Sequence, residues 1–173
     1  IIVVLRVNND FIFKYVLCET HCKTMKKISY DYIRGLIDGE GCFSFCPGSK
    51  NKDGSKYKIP AFILSMNERD YNLITSVKNS FGLKNKVYIF KPYLKDGYDR
   101  DKKATLIIRD FNQLKDIIIP YFYKKLHGYK GIQFIQWLNK IETDPNVSDR
   151  FKSLYRLYKW GFYDEEKSLE KYV

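Results

Sequence analysis

Tyr32-Ile33-Arg34-Gly35-Leu36-Ile37-Asp38-Gly39-Glu40-Gly41-Cys42-Phe43 reads as a helix that ends in a glycine-rich, doubly acidic turn and runs straight into a strand. Ser29 offers an N-cap hydroxyl, with Ile28 and Ile33 spaced to form a hydrophobic staple across it. Gly39 and Gly41 are expected to end the helix, because glycine reaches the left-handed backbone that other residues resist. Asp38 and Glu40 then sit at the negative end of the helix dipole, where carboxylates are mildly unfavourable. Two acids kept at that spot imply a cation between them.

The chain after this stretch alternates with period two. Phe43 and Phe45 are expected to face a core, leaving Cys42, Ser44 and Cys46 on the side of Glu40. Pro47 to Lys56 reads as a loop with a basic tip, and Tyr57–Met66 as the returning strand of a hairpin. Asn67 is an N-cap for a second helix whose apolar face carries Tyr71, Ile74, Val77 and Phe81 and which Gly82 closes. Lys86–Lys91 and Ala104–Arg109 read as two further strands around a polar turn. Asp110 with Gln113 resembles a capping box for a third helix, which Pro120 ends or kinks. The second half thus repeats the layout of the first around Leu83. Beyond Tyr121 the pattern is helical, with Ile132–Ile141, a break at Asp144-Pro145, and a helix capped by Ser148 that carries Phe151, Leu154, Tyr155 and Tyr158. Residues 164–173 read as a charged peripheral helix.

Composition narrows the partners. At 173 residues, with 45% hydrophobic and 29% charged residues, the chain suffices for one packed domain. A formal charge of +11 calls for an anionic partner, and the interleaving of aromatic residues with lysine favours nucleic acid over a membrane surface or an acidic protein. Apolar stretches are far shorter than the roughly 20 residues of a membrane span. Residues 1–27 alternate poorly and are read as an N-terminal extension of uncertain order; Met25, just ahead of the patterned region, is read as an alternative start.

The four cysteines form the pairs Cys18/Cys22 and Cys42/Cys46, with His21 beside the first. Zinc is the tempting reading, but four residues of strand separate Cys42 from Cys46 by roughly 13 Å, too far for one ion. Small buried or half-buried thiols in a reducing compartment are expected instead.

The stretch Ile33-Arg34-Gly35-Leu36-Ile37-Asp38-Gly39-Glu40-Gly41 resembles the signature of the LAGLIDADG homing endonucleases. Ala61-Phe62-Ile63-Leu64, Ser80-Phe81-Gly82 and Ile118-Ile119-Pro120-Tyr121-Phe122 resemble further landmarks of that family in the right order. The resemblance implies an α+β class, the αββαββα fold with a saddle-shaped antiparallel sheet. Residues 28–173 then form a single domain, with a core over about 28–140 and extra C-terminal helices over 141–173.

The resemblance also implies an activity: metal-dependent double-strand cleavage of a long, partly palindromic DNA target by an intron-encoded homodimer. Glu40 is the implied metal acid and catalytic residue, joined at the ion by the backbone carbonyl of Gly39, and Lys130 is the implied catalytic basic residue after the third helix, which helps organise water and neutralise charge at the scissile phosphate. Gly35, Asp38 and Gly41 are implied structural residues of the motif, and the cofactor is Mg2+ or another divalent cation such as Mn2+. Only one motif is present, and one carboxylate is too few for a two-metal phosphodiester site. A two-fold dimer through the motif helix supplies a second Glu40, and Gly35 and Gly39 on one helical face allow a partner backbone to approach.

Residues on the face of Glu40 and at the hairpin tips are the implied DNA contacts: Ser44, Lys50, Lys52, Lys56, Tyr88, Lys91, Arg100 and Lys103. Met66 stands where some relatives carry glutamine, which leaves Asn67 as a substitute or a different water network. The alternative within the same fold is an intron-RNA splicing cofactor, or an inactive DNA-binding domain. The implied location is intracellular, an organelle (mitochondrion or chloroplast) or a bacterial cytoplasm. Histidine-metal nuclease chemistry is discounted, since His21 and His127 lack suitable neighbours. Two decoys are set aside: Trp160-Gly161-Phe162-Tyr163-Asp164-Glu165-Glu166 lacks the closing glycines of the motif, and Glu165-Glu166-Lys167 is a chance E-x-K triplet.

Overall fold

The computed structural model describes residues 4–7, 10–13, 28–50, 54–92 and 100–164. Within residues 1–27, β1 (Val4–Val7) pairs antiparallel with β2 (Asp10–Phe13) as a sheet of their own. The main fold runs α1 (Tyr30–Glu40), β3 (Gly41–Lys50), β4 (Lys56–Asn67), a 3-10 turn (Glu68–Asp70), α2 (Tyr71–Ser80), β5 (Val87–Phe90) and β6 (Lys103–Ile108). A composite helix follows: α3 (Phe111–Gln113), a π-helical turn (Leu114–Ile118) and α4 (Ile119–Phe122). The chain closes with α5 (Tyr129–Thr143) and α6 (Asp149–Lys159). The expected αββαββα order is present.

The helix starts follow local chemistry. The Ser29 hydroxyl accepts the N–H of Tyr32 at 3.2 Å, and Ile28 packs beside buried Ile33. The Asn67 side chain accepts the N–H of Arg69, and the Asp110 carboxylate that of Gln113 at 3.0 Å. Gly82 at φ +66 ends α2, its N–H and that of Leu83 donating to Asn79 and Lys78. Ser148 occupies the cap of α6 but engages it only through its backbone carbonyl. Pro120 does not end its helix. A proline lacks the N–H for the residue four back, and the wider π-helical turn just ahead of it lets the helix continue to Phe122.

The four-stranded antiparallel sheet has the order β3-β4-β6-β5. Its register sets Phe43 against Phe62 and Phe62 against Ile108, so one face carries the apolar row. Cys42, Ser44, Ile63, Thr105 and Tyr88 fall on the opposite, open face. The β3–β4 hairpin closes at the pair Lys50–Lys56, whereas Phe90–Lys103 of the second hairpin lies level with Asn67, so the two hairpins project in opposite directions. The strand β3 is longer than expected: it continues past Pro47 to Lys50 through a register shift, within the stretch from Pro47 to Lys56 expected to be a loop.

The core lies between the apolar face and the helices. Ile33 and Ile37 of α1, Ile74 and Val77 of α2, Leu114 and Ile118 of the π-helical turn, and Phe134, Leu138 and Ile141 of α5 are all buried. Phe43 is its aromatic hub, with ring centroids 4.9 Å from Phe134, 5.5 Å from Phe62 and Trp137, and 5.9 Å from Phe122. The indole N–H of Trp137 donates to the Ser44 carbonyl at 2.8 Å, so α5 holds the backbone of β3 directly. Ile132, expected in the apolar run of this helix, is exposed.

Candidate functional site

The end of α1 passes into β3 without an intervening turn. Gly41, the helix cap, has φ −71 and ψ 150, an extended conformation open to any residue, so the expected left-handed glycine turn is not formed. Gly41 is required for a different reason. A Cβ there would lie 2.4 Å from Ile37 Cγ2 and 2.8 Å from the Ile37 carbonyl, with which the Gly41 N–H is hydrogen-bonded. The glycine lets the strand leave the helix at the shortest possible distance.

Asp38 turns inward from this junction. Its carboxylate accepts the backbone N–H of His127 at 3.2 Å and that of Gly128 at 3.4 Å. Gly128 is the residue just ahead of α5, so an acid from α1 holds the two backbone N–H groups that lead into that helix, at its positive end. Asp38 is therefore a clasp between two helices. The structural role read for it holds, with a partner 90 residues away in sequence.

Glu40 points the other way in function. It is exposed and makes no hydrogen bond or ion pair among the described residues. The last turn of α1 carries no basic residue, so nothing local offsets the carboxylate and the negative helix end. Glu40 with the backbone carbonyl of exposed Gly39 is an all-oxygen donor set, the kind that hard divalent cations such as Mg2+ accept. Among the described residues no three His, Cys, Asp or Glu side chains gather as a metal cluster. Cys42 and Cys46 are free thiols on β3, Cys42 being more exposed than the buried or half-buried thiol expected; Cys18, His21 and Cys22 lie outside the described residues.

The outer face of α1 is bare. Tyr32, Gly35 and Gly39 are exposed, Leu36 is half-buried, and a Cβ on Gly35 or Gly39 would touch nothing within 4 Å in this chain. At spacings of three and four residues these form one stripe of small and apolar groups.

Lys130 is half-buried in the first turn of α5, two residues beyond the Gly128 N–H that Asp38 holds. Of the expected DNA contacts, Ser44, Tyr88 and Lys103 lie on the open face of the sheet, Tyr88 stacking its ring 6.0 Å from that of Phe90. Lys50 and Lys56 pair at the hairpin tip; by register Lys56 belongs to the helix-bearing side of β4, not to the open face. Lys91 and Arg100 are exposed beside the second hairpin, and Lys52 lies outside the described residues. Met66 packs toward the core, and Asn67 is already committed, donating to Asp101 at 2.7 Å while capping the 3-10 turn. Sequence reading passed over Lys86, Arg109 and Arg150, which line a trough on the open face; the alternation of β6 placed Arg109 there, but nothing in the sequence signalled Arg150.

The Trp160–Asp164 echo of the motif is a turn, with Gly161 at φ +71. Its Asp164 carboxylate is bonded to Lys124 and to the Tyr123 hydroxyl, and the Lys124 hydrogen bond holds it below the usual carboxylate range. The E-x-K triplet at 165–167 lies outside the described residues. Among the described residues no helix is long and apolar enough to cross a membrane.

A match to the family model of the LAGLIDADG endonucleases covers residues 33–141, from the motif helix through α5. The chain belongs to the LAGLIDADG endonuclease family. Among solved structures, the meganuclease I-SmaMI bound to uncleaveable DNA is 25% identical, with a TM-score of 0.53 over 73% of this chain and 41% of that one. The LAGLIDADG homing endonuclease I-LtrWI bound to its target DNA is 26% identical, with a TM-score of 0.52 over 71% of this chain and 40% of that one. The meganuclease I-CpaMI bound to uncleaved DNA, 23% identical with a TM-score of 0.53 over 80% and 43%, shares the fold. The chain thus spans about two fifths of the length of these structures. Comparison with curated proteins finds no match.

Proposed function

We propose that this protein is a site-specific homing endonuclease that cuts both strands of a long, partly palindromic DNA target as a homodimer joined through α1. The observation that carries the reading is the division of labour in the motif: Asp38 is spent on the α5 backbone, while Glu40 stands free and exposed at the same helix end. DNA-bound relatives of the same family support duplex DNA as the partner.

In this reading the bare stripe of Tyr32, Gly35, Leu36 and Gly39 packs against its copy across a two-fold axis, which brings two Glu40 side chains together. Each Glu40, with the Gly39 carbonyl, would hold a divalent ion, Mg2+ or Mn2+. When bound, such an ion neutralises charge at the scissile phosphate and lowers the pKa of the attacking water. Lys130, in the first turn of α5, would balance phosphate charge and order water. The open sheet face and the basic hairpin tips seat the duplex. The proposed setting is an organelle or a bacterial cell, and the gene is proposed to lie in an intron.

The test is Glu40→Gln assayed on the intronless insertion junction in Mg2+. Cutting should fall at least about 100-fold while duplex binding persists. A mutant that cuts at the wild-type rate removes Glu40 from the metal site.

A further inference from the structure

The open face of the sheet runs into a trough of about 1060 Å3 lined by Lys86, Tyr88, Arg109, Phe111 and Arg150. None of its three cations forms an ion pair among the described residues. Asp110, the single acid lining it among the described residues, has its carboxylate engaged by the Gln113 N–H. The trough therefore carries uncompensated positive charge.

Two of the cations are held in place by aromatic rings. The Arg150 guanidinium lies 4.9 Å over the ring of Phe111, which itself packs 5.9 Å from Phe151, and the Lys86 ammonium lies 5.7 Å from the ring of Tyr88. A guanidinium stacked on an aromatic face keeps its N–H edges free, in the fork that matches a phosphate. Such seating lowers the ordering cost on binding. Arg150 comes from α6, which is no part of the sheet. At about 1060 Å3, with three cations on its lining, the trough suits a chain of phosphates better than one small anion.

Its place separates it from the cutting chemistry. Cys46, on the trough's lining, lies five residues along β3 from Gly41, roughly 17 Å at strand spacing. We propose that this trough is a phosphate seat, built jointly by β6 and α6, that grips the backbone of duplex DNA away from the cleaved bonds. The proposal rests on the DNA-endonuclease reading above. It makes α6 a part of the binding surface, with Arg150 and Arg109 positioning the duplex rather than reading its sequence.

The experiment is a salt series of binding constants for the full chain on a random-sequence duplex, comparing wild type with Arg150→Gln, Arg109→Gln and Arg150→Lys. Each neutralising variant should make the slope of log K against log salt shallower by about one unit, and Arg150→Lys should restore it. Arg109, exposed at the end of β6, carries the test independently should Arg150→Gln unfold, which thermal melting reports. Unchanged slopes in a wild type that binds DNA would overturn the seat and leave the endonuclease reading standing. So would a loss confined to one DNA sequence, or a slope change seen on structured RNA and absent on duplex. A wild type that binds no DNA overturns both.

Discussion

The Asp38 carboxylate accepts the Gly128 backbone N–H at 3.4 Å, joining the C-terminal end of α1 to the start of α5. The contact sits two residues before Glu40 and two before Lys130. Both candidate catalytic side chains therefore take their position from one clasp, reinforced by the His127 N–H at 3.2 Å. Asp38, expected as a structural residue of the motif, ties the backbone that carries Glu40 to the backbone that carries Lys130.

Removing the clasp should act on stability and on cutting together. Asp38→Ala leaves two N–H groups without their acceptor and should lower stability by about 1–2 kcal/mol, a fall in Tm of roughly 2–8 °C for a chain of this size. Asp38→Asn keeps an oxygen that accepts an N–H and should retain most of the stability. Single-turnover cleavage at saturating DNA should follow the same order, wild type above Asn above Ala. If Asp38→Ala melts and cuts like wild type, the clasp is not what positions the site.

Gly41 and Gly35 should separate sharply. Gly41→Ala drives a methyl into Ile37 at 2.4 Å and should cost about 2–3 kcal/mol in thermal unfolding. Gly35→Ala meets nothing in its own chain, and alanine favours the helix by about 0.5–1 kcal/mol. Its Tm at monomeric dilution should therefore rise. If α1 forms the proposed dimer seam, the same substitution should weaken self-association in sedimentation at higher concentration, because the added methyl would hold the two backbones apart. Unaltered self-association would place the dimer contact elsewhere.

How much of this was legible in the chain depends on the range of the interaction. Ser29 and Gly82 act within three or four residues of themselves as their local patterns predict; Asn67 caps the 3-10 turn ahead of the expected helix, and Asp110 caps its helix while Gln113 Oε1 makes no return bond. The inward pair Phe43 and Phe45 follows from period two alone. What escaped depended on distant partners. Asp38 finds N–H groups 89 and 90 residues away, and Arg150 finds the ring of Phe111 in another helix. The reason for Gly41 was misread because a glycine after a helix usually signals left-handed backbone, whereas here the constraint is the Ile37 side chain one turn back. Pro47 is expected to open a loop and Pro120 to end or kink its helix; a register shift carries the strand past the first, and a π-helical turn carries the helix past the second.

Phe43 offers a test of how firmly the strand behind Glu40 is held. Its ring meets four other aromatic rings within 6 Å, from β4, α4 and α5. Phe43→Ala should cost about 3 kcal/mol through the cavity it leaves. Phe43→Leu, closer in volume, should cost about half of that. Denaturant titration with an unchanged slope would assign the loss to packing. A loss below about 1 kcal/mol for Phe43→Ala would mean that the neighbouring rings close over the gap and that β3 does not depend on this hub.

The hairpin tip is held by charge, and its contribution should depend on pH. The Lys58 ammonium lies 2.6 Å from the Asp144 carboxylate, joining β4 to the α5–α6 connection, where the Lys58 N–H also donates to the Asn146 carbonyl at 3.0 Å. The Lys58 hydrogen bond, helped by the Asn146 N–H, holds the Asp144 carboxyl below its ordinary value of 3.8. A depressed acid stabilises the fold fully above its unfolded-state value and loses that contribution as pH falls through the lower folded-state value. Lys58 is half exposed, so the pair is worth about 0.5 kcal/mol. Lys58→Met should therefore melt about 1–2 °C below wild type at neutral pH. The gap should stay constant down to about pH 4, then close below 3.8 as Asp144 takes up its proton in both proteins. A gap that persists undiminished in acid would mean that Lys58 acts through the packing of its alkyl chain and its backbone bond, and that the tip is not held by charge.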